Sequence, residues 1–230
     1  MRLSLIGMAG AGKSHWSKKL AEHGFRRFCC DDLIAEMLAP ELTRPDGTAM
    51  EMGEWMGFPY EPQYKERESK YLAYEIEVLT EIFELLESGE MDSEDNIVVD
   101  TTGSVIYTGE ENLGRLRQST TIVYLPTPPE LQEQILKAYI ANPGPVLWRD
   151  MFSKQPHESS EEALARCYPE LLVARQRLYE QYADVTIDYY TRSQEGFGVS
   201  DFLKGVDDPS MKPRPGREDR SRPPATRYKS

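Results

Sequence analysis

Residues 7 to 14 read Gly7-Met8-Ala9-Gly10-Ala11-Gly12-Lys13-Ser14. This is G-x-x-x-x-G-K-[ST], the spacing of a loop that cradles nucleotide phosphates. Each residue type has a task. Glycines let the backbone curl until successive N–H groups face one anion. A helix opening at Lys13 turns the positive end of its dipole to the same place. The Lys13 ammonium reaches the β- and γ-phosphates, and the Ser14 hydroxyl is a ligand for Mg²⁺. Ala9, Gly10, Ala11, Gly12, Lys13 and Ser14 are therefore the expected nucleotide contacts. His15 either bonds the α-phosphate or lies on the surface. Phosphoryl transfer also asks for a carboxylate beside the attacking hydroxyl and for cations on the moving group. Asp100 closes the apolar run "NIVV" at 96–99. An aspartate there holds a Mg²⁺-bound water in many phosphate sites, or simply ends a strand.

The loop needs a strand before it and a helix after it, and both are legible. Leu3–Ile6 is a short apolar strand, and Lys13–His23 reads as a helix closed by Gly24. Phe25–Cys30 is a second strand, and Asp32–Leu38 a short helix stopped before Pro40. Residues 40–63 hold several Pro and Gly and read as irregular. Leu72, Ile76, Leu79, Phe83 and Leu86 recur at three and four, predicting a helix over Tyr64–Glu87 with one apolar face. "NIVV" and "TTIVYL" (120–125) are strands, Glu130–Ala141 is helical, and "NPGP" (142–145) breaks it. Glu161–Tyr182 reads as one or two helices around Pro169. "VTID" (185–188) is a last strand, and Val199–Leu203 a short terminal helix. Strands alternating with helices predict an α/β fold with a parallel sheet and helices on both faces. In such a sheet the carboxyl ends of the strands gather where ligands bind. From about Gly205 the chain turns rich in Pro, Arg and Ser, predicting a disordered tail over 205–230.

The 230 residues, 39% hydrophobic, suffice for one core with a small lid. The formal net charge is −12. The last 27 residues carry eight Lys/Arg and four Asp/Glu, so the remainder is near −16. That balance argues against nucleic acid as a partner. No stretch approaches the ~20 apolar residues of a membrane helix, and nothing reads as a signal peptide. Three cysteines, two of them adjacent (Cys29, Cys30), suit reduced thiols in a cytoplasm. A GTPase would carry an Asn-Lys-x-Asp stretch for guanine, and none is present. The length and the early loop suit a small-molecule kinase using ATP and Mg²⁺, expected as a monomer or weak homo-oligomer; the competing reading from another class is a catalytically degenerate nucleotide-binding protein with a regulatory role.

Several spaced patches then resemble the shikimate kinase family, among the nucleoside-monophosphate-kinase-like P-loop kinases. "GAGKS" (10–14) resembles its nucleotide loop. "FCCDDLI" (28–34) resembles its Phe-Asp-x-Asp-x-x-Ile stretch, with Asp31 on the second aspartate and Cys29 where the first, metal-linked one stands. "YKERE" (64–68) resembles Phe-Arg-x-x-Glu, placing Lys65 on a carboxylate-gripping arginine. "VVDTTGS" (98–104) resembles the strand and triple-glycine turn, keeping only Gly103. "ARQRLYEQYADVTID" (174–188) places Arg175 on a second carboxylate-binding arginine, and Arg192 lies near a residue beside the adenine. The resemblance implies a five-stranded sheet ordered 2-3-1-4-5 and a kinase domain over 1–204 with a lid near 137–160. It implies Asp31 as base and acceptor ligand, and Lys65, Gly103 and Arg175 as further contacts to a small hydroxy acid, shikimate first. Asp100 would take over the metal role absent at Cys29. The lid arginine of the family is Gly144 here, so Arg149 becomes the catalytic candidate from the lid, with Lys137 behind it.

Overall fold

The computed structural model describes residues 1–88 and 95–211. Its centre is one parallel sheet of β1 (Arg2–Ile6), β2 (Arg26–Cys29), β3 (Ile97–Asp100), β4 (Thr121–Tyr124) and β5 (Val185–Thr186). The strand order is β2-β3-β1-β4-β5, as the sequence patches imply. Leu3, Leu5, Ile6, Ile97, Val98, Val99, Ile122 and Val123 are fully buried. Unbroken apolar runs of this kind belong to strands covered on both faces.

Helices supply that cover. On one face α1 (Lys13–Glu22) and α9 (Val199–Asp207) set Trp16, Leu20 and Phe202 against Leu3, Leu5, Val98 and Val123. On the other, α2 (Cys30–Leu38), α4 (Tyr64–Glu87), α5 (Glu110–Ser119) and α7 (Ser160–Tyr182) enclose Ile97, Val99 and Ile122. The chain also forms α3 (Met52–Met56), α6 (Gln132–Ala141) and α8 (Tyr189–Arg192).

Several local expectations need correction. Residues 40–63 include α3, whose Trp55 and Met56 are buried. Helix α5 went unpredicted because only Leu113 and Leu116 of its ten residues are buried, too few to make a periodic signal. Helix α7 runs unbroken through Pro169. Tyr168, Leu171 and Leu172 are buried around the proline, and their packing outweighs one lost backbone hydrogen bond. Gly205 lies inside α9, which continues to Asp207. Most of the tail expected over 205–230 lies outside the described residues.

The stretch expected as a lid is tied down in this structure. After α6, Val146, Leu147 and Trp148 are buried. The Tyr64 hydroxyl accepts from the Trp148 backbone N–H (2.8 Å) and donates to the Val146 carbonyl (2.7 Å). The Trp148 indole N–H donates to the Tyr139 hydroxyl (3.1 Å), amid Phe152 and Tyr168. A side chain at Gly53 would fall on the Pro143 carbonyl, so α3 packs backbone to backbone on this segment. Among the described residues no helix is long and apolar enough to cross a membrane.

Candidate active site

The Gly-rich loop joins β1 to α1 at the carboxyl edge of the sheet. Gly7, Gly10 and Gly12 all have φ in the left-handed region, at +146°, +80° and +92°. A Cβ at Gly7 would come within 2.6 Å of the Leu125 carbonyl oxygen, so this glycine is required by space as well as by backbone angle. Lys13 is buried, and its ammonium donates to the Gly7 (2.9 Å) and Met8 (3.2 Å) carbonyls. Burial pulls its pKa down, against the attraction of Asp31 and Asp100. Ala9, Gly10, Ser14 and His15 are exposed around the loop, and Ala11 is buried behind it.

Arg192 closes α8, just after β5. It is nearly buried, and its guanidinium donates to the carbonyls of Ile187 (2.7 Å), Pro126 (2.6 Å) and Ala11 (3.1 Å). It staples the loop to the strand ends. Burial lowers its pKa to about 10, so it stays charged at neutral pH.

Asp31 lies in the first turn of α2, directly after β2. Its Oδ1 accepts from the buried Tyr71 hydroxyl at 2.9 Å. Burial pushes its carboxyl up, while Lys13 and the Tyr71 hydroxyl pull it down. Asp100, at the end of β3, is 2% exposed. Its Oδ2 accepts from Ser17 (2.8 Å) and Arg27 (2.7 Å), whereas Oδ1 has no hydrogen-bond partner. A buried carboxylate oxygen without a donor is costly and suits a cation or its bound water. That orphan oxygen and the exposed Ser14 hydroxyl fit a Mg²⁺ carried mainly by phosphates and water. Among the described residues no group of three or more His, Cys, Asp or Glu forms a metal cage. Cys29 stands opposite Asp100 in the sheet, and burial pushes its thiol up to about 11, so it remains neutral.

Gly103 lies against the loop: a Cβ there would be 3.3 Å from the Ala9 nitrogen. Its carbonyl accepts from Arg175 (3.2 Å) and from the Tyr179 hydroxyl. Arg175 is 2% exposed, donates also to the Leu147 carbonyl (2.6 Å), and keeps a buried Nε without a partner. Tyr107 sits beside two guanidinium groups, Arg175 at 5.3 Å and Arg149 at 5.9 Å from the ring centre. Arg149 is the one non-glycine residue with positive φ (53°) among those described, and its N–H donates to Glu68 Oε1 (2.7 Å). Arg149 thus points to the same aromatic ring as Arg175. Lys137 does not join them, since it pairs with Glu133 on the surface (2.7 Å). Lys65 does not join them either. It is exposed on α4, one residue after buried Tyr64 and three before buried Glu68.

The largest omission of the sequence reading is Glu75. The first half of α4 buries Tyr64, Glu68, Tyr71 and Glu75, a line offset by one from Leu72 and Ile76. Glu75 is 1% exposed, accepts from Ser104 Oγ (2.6 Å) and from Thr102 Oγ1, and so clamps both neighbours of Gly103. Burial pushes its carboxyl up to about 7, against those two donors. The signal was present: Glu68, Tyr71, Glu75 and Leu79 also recur at three and four.

No protein-family model matches this chain, and no curated protein matches it in sequence. Solved structures do match. Shikimate kinase from Acinetobacter baumannii, in complex with shikimate, is 25% identical with a TM-score of 0.54, over 88% of this chain and 87% of that one. Shikimate kinase from Aquifex aeolicus is 19% identical with a TM-score of 0.55, over 90% and 96%. That from Bacteroides thetaiotaomicron is 16% identical with a TM-score of 0.54, over 90% and 94%. The fold of this chain, with its parallel sheet ordered 2-3-1-4-5 and its glycine loop after the first strand, is the P-loop kinase fold of the shikimate kinases.

Proposed function

We propose that this protein is an ATP-dependent kinase that transfers the γ-phosphoryl group to a hydroxyl of a small hydroxy acid, shikimate being the first acceptor to test. The observation that carries this reading is the attraction between Asp31 and the Lys13 ammonium of the loop. A half-buried carboxylate, fixed by Tyr71, stands within electrostatic reach of the Lys13 ammonium. Lys13 would release the loop carbonyls and take the β- and γ-phosphates, and the loop N–H groups would hold the rest. Asp31 would accept the proton of the acceptor hydroxyl as its oxygen bonds to phosphorus and ADP departs. Its raised pKa makes it a better base than an exposed aspartate. Ser14 and Asp100 would hold Mg²⁺, which offsets the charge of the phosphates. Arg175, through its free Nε, and Gly103 would hold the acceptor, with Arg149 supplying lid charge.

A second reading within the same fold is a kinase for another sugar or polyol acid. Lys65, exposed on α4 where the resembled family has an arginine, favours it, because a lysine lacks the planar fork that grips a carboxylate through two bonds. Phosphorus NMR of mixtures of ATP with each candidate acid tests the reading. A new phosphate-ester resonance is expected with the native chain, reduced ~100-fold or more in Asp31→Asn while ADP affinity is kept. Equal rates in Asp31→Asn would remove Asp31 from the chemistry.

A further inference from the structure

The Asp100 carboxylate is held in an uneven way. Arg27, on β2, sends Nη2 to Asp100 Oδ2 (2.7 Å) and Nε to Ser17 Oγ (2.8 Å). Ser17, on α1, sends its hydroxyl to the same Oδ2 (2.8 Å) and lies 3.2 Å from the Ser14 carbonyl. Every contact falls on one oxygen, and the buried Oδ1 has no donor. Arg27 and Cys29 alternate onto the same face of β2, and Cys29 is the register partner of Asp100. The arginine therefore reaches past Cys29 to Asp100, and its Nη1 also lies 3.6 Å from Asp32 Oδ2.

We infer that Arg27 is a positioning residue for the divalent cation that accompanies the nucleotide, fixing Asp100 by Oδ2 so that Oδ1 faces the cation or its water shell. This rests on the nucleotide-kinase reading above. The planar fork is what performs the task. Two diverging N–H groups lock the serine and the aspartate together, and a lysine has no such geometry. Without the fork the carboxylate can turn about its own axis, and the oxygen offered to the cation is no longer set. Groups behind a metal ligand commonly change metal affinity about 10- to 100-fold when removed.

The test uses the full chain, ADP and Mg²⁺, and needs no acceptor. Calorimetric titration of ADP at increasing Mg²⁺ gives the metal concentration that half-saturates the tightening of ADP. In Arg27→Met that concentration is expected to rise about 10-fold or more, with metal-free ADP affinity within about twofold of native. Arg27→Lys is expected to behave like Arg27→Met, and Ser17→Ala to shift in the same direction. Electron paramagnetic resonance with Mn²⁺·ADP should show a changed cation environment in all three. Circular dichroism checks the fold, and Arg27→Lys serves if the methionine variant is unstable. An unchanged Mg²⁺ dependence in Arg27→Met, or full recovery in Arg27→Lys, overturns the inference. A native protein that binds ADP without any effect of Mg²⁺ overturns it while leaving the nucleotide site standing. A native protein that binds no ADP overturns both.

Discussion

Glu75→Gln should make the protein more stable, and increasingly so as pH rises. The side chain is 1% exposed and its carboxyl lies near 7, against 4.5 for a free glutamate. The folded state therefore keeps a proton that the unfolded chain releases. Between those two values the folded state binds more protons, so stability falls as pH rises, and above about 7 the loss is complete. At ~1.4 kcal/mol per tenfold in acidity, the difference amounts to about 3 kcal/mol. Glutamine mimics the protonated acid in shape and removes the ionisation. Its amide also meets Thr102 and Ser104 differently, but that effect does not depend on pH. The readout is therefore the change with pH: the variant's advantage at pH 8 should exceed that at pH 5.5 by about 2 kcal/mol. Urea unfolding followed by tryptophan fluorescence measures both. A difference that does not vary with pH would refute the reasoning, because Glu75 would then be ionised throughout and held by its two hydroxyl donors.

Three further outcomes follow from the same contacts. Trp148→Ala should cost about 3–5 kcal/mol in denaturant unfolding, since a fully buried indole and its bond to Tyr139 are lost; a loss under ~1 kcal/mol would mean that the segment 142–148 is not anchored by it. Arg149→Ala should lower the rate of phosphoryl transfer on the order of 100-fold, whereas Lys137→Ala should leave it unchanged, because Lys137 is spent on Glu133 at the surface; steady-state ADP release separates the two, and the reverse ranking would contradict the placement of Arg149 beside Tyr107. Gly7→Ala should abolish ADP binding in calorimetry, since the new methyl meets the Leu125 carbonyl and the required φ is strained; native affinity would show that the loop can shift at no cost.

The parts of the fold that follow a strong period were legible in the sequence. The five strands, the glycine loop with its helix, and the 24-residue α4 all stand within a residue or two of where the pattern placed them. Two stripes of side chains on α4 share the spacing of three and four, and hydrophobicity alone favours Leu72 and Ile76 over Tyr71 and Glu75. Only the packing of α2 and the Gly103 turn on the helix reveals that its first half buries acids. Lys65 shows a related point: alignment by motif fixes its place in the chain, but not the exposure it has on α4. Arg27 escaped notice because its partners, Ser17 and Asp100, are 10 and 73 positions away in the chain. Long-range polar pairs leave no local period, whereas Asp100 was visible because it ends a strand, where a parallel sheet collects its chemistry, and Asp31 through the resemblance carried by residues 28–34.

The central claim is that the loop and Asp31 together move a phosphoryl group onto a small hydroxy acid. A coupled assay of ADP release from Mg·ATP, run over a panel of hydroxy acids that includes shikimate, tests it most directly. The account predicts that one acid stimulates ADP release well above the rate without acceptor, and that Lys13→Ala abolishes the stimulation. ADP release that no acid stimulates, or stimulation that survives Lys13→Ala, would contradict it.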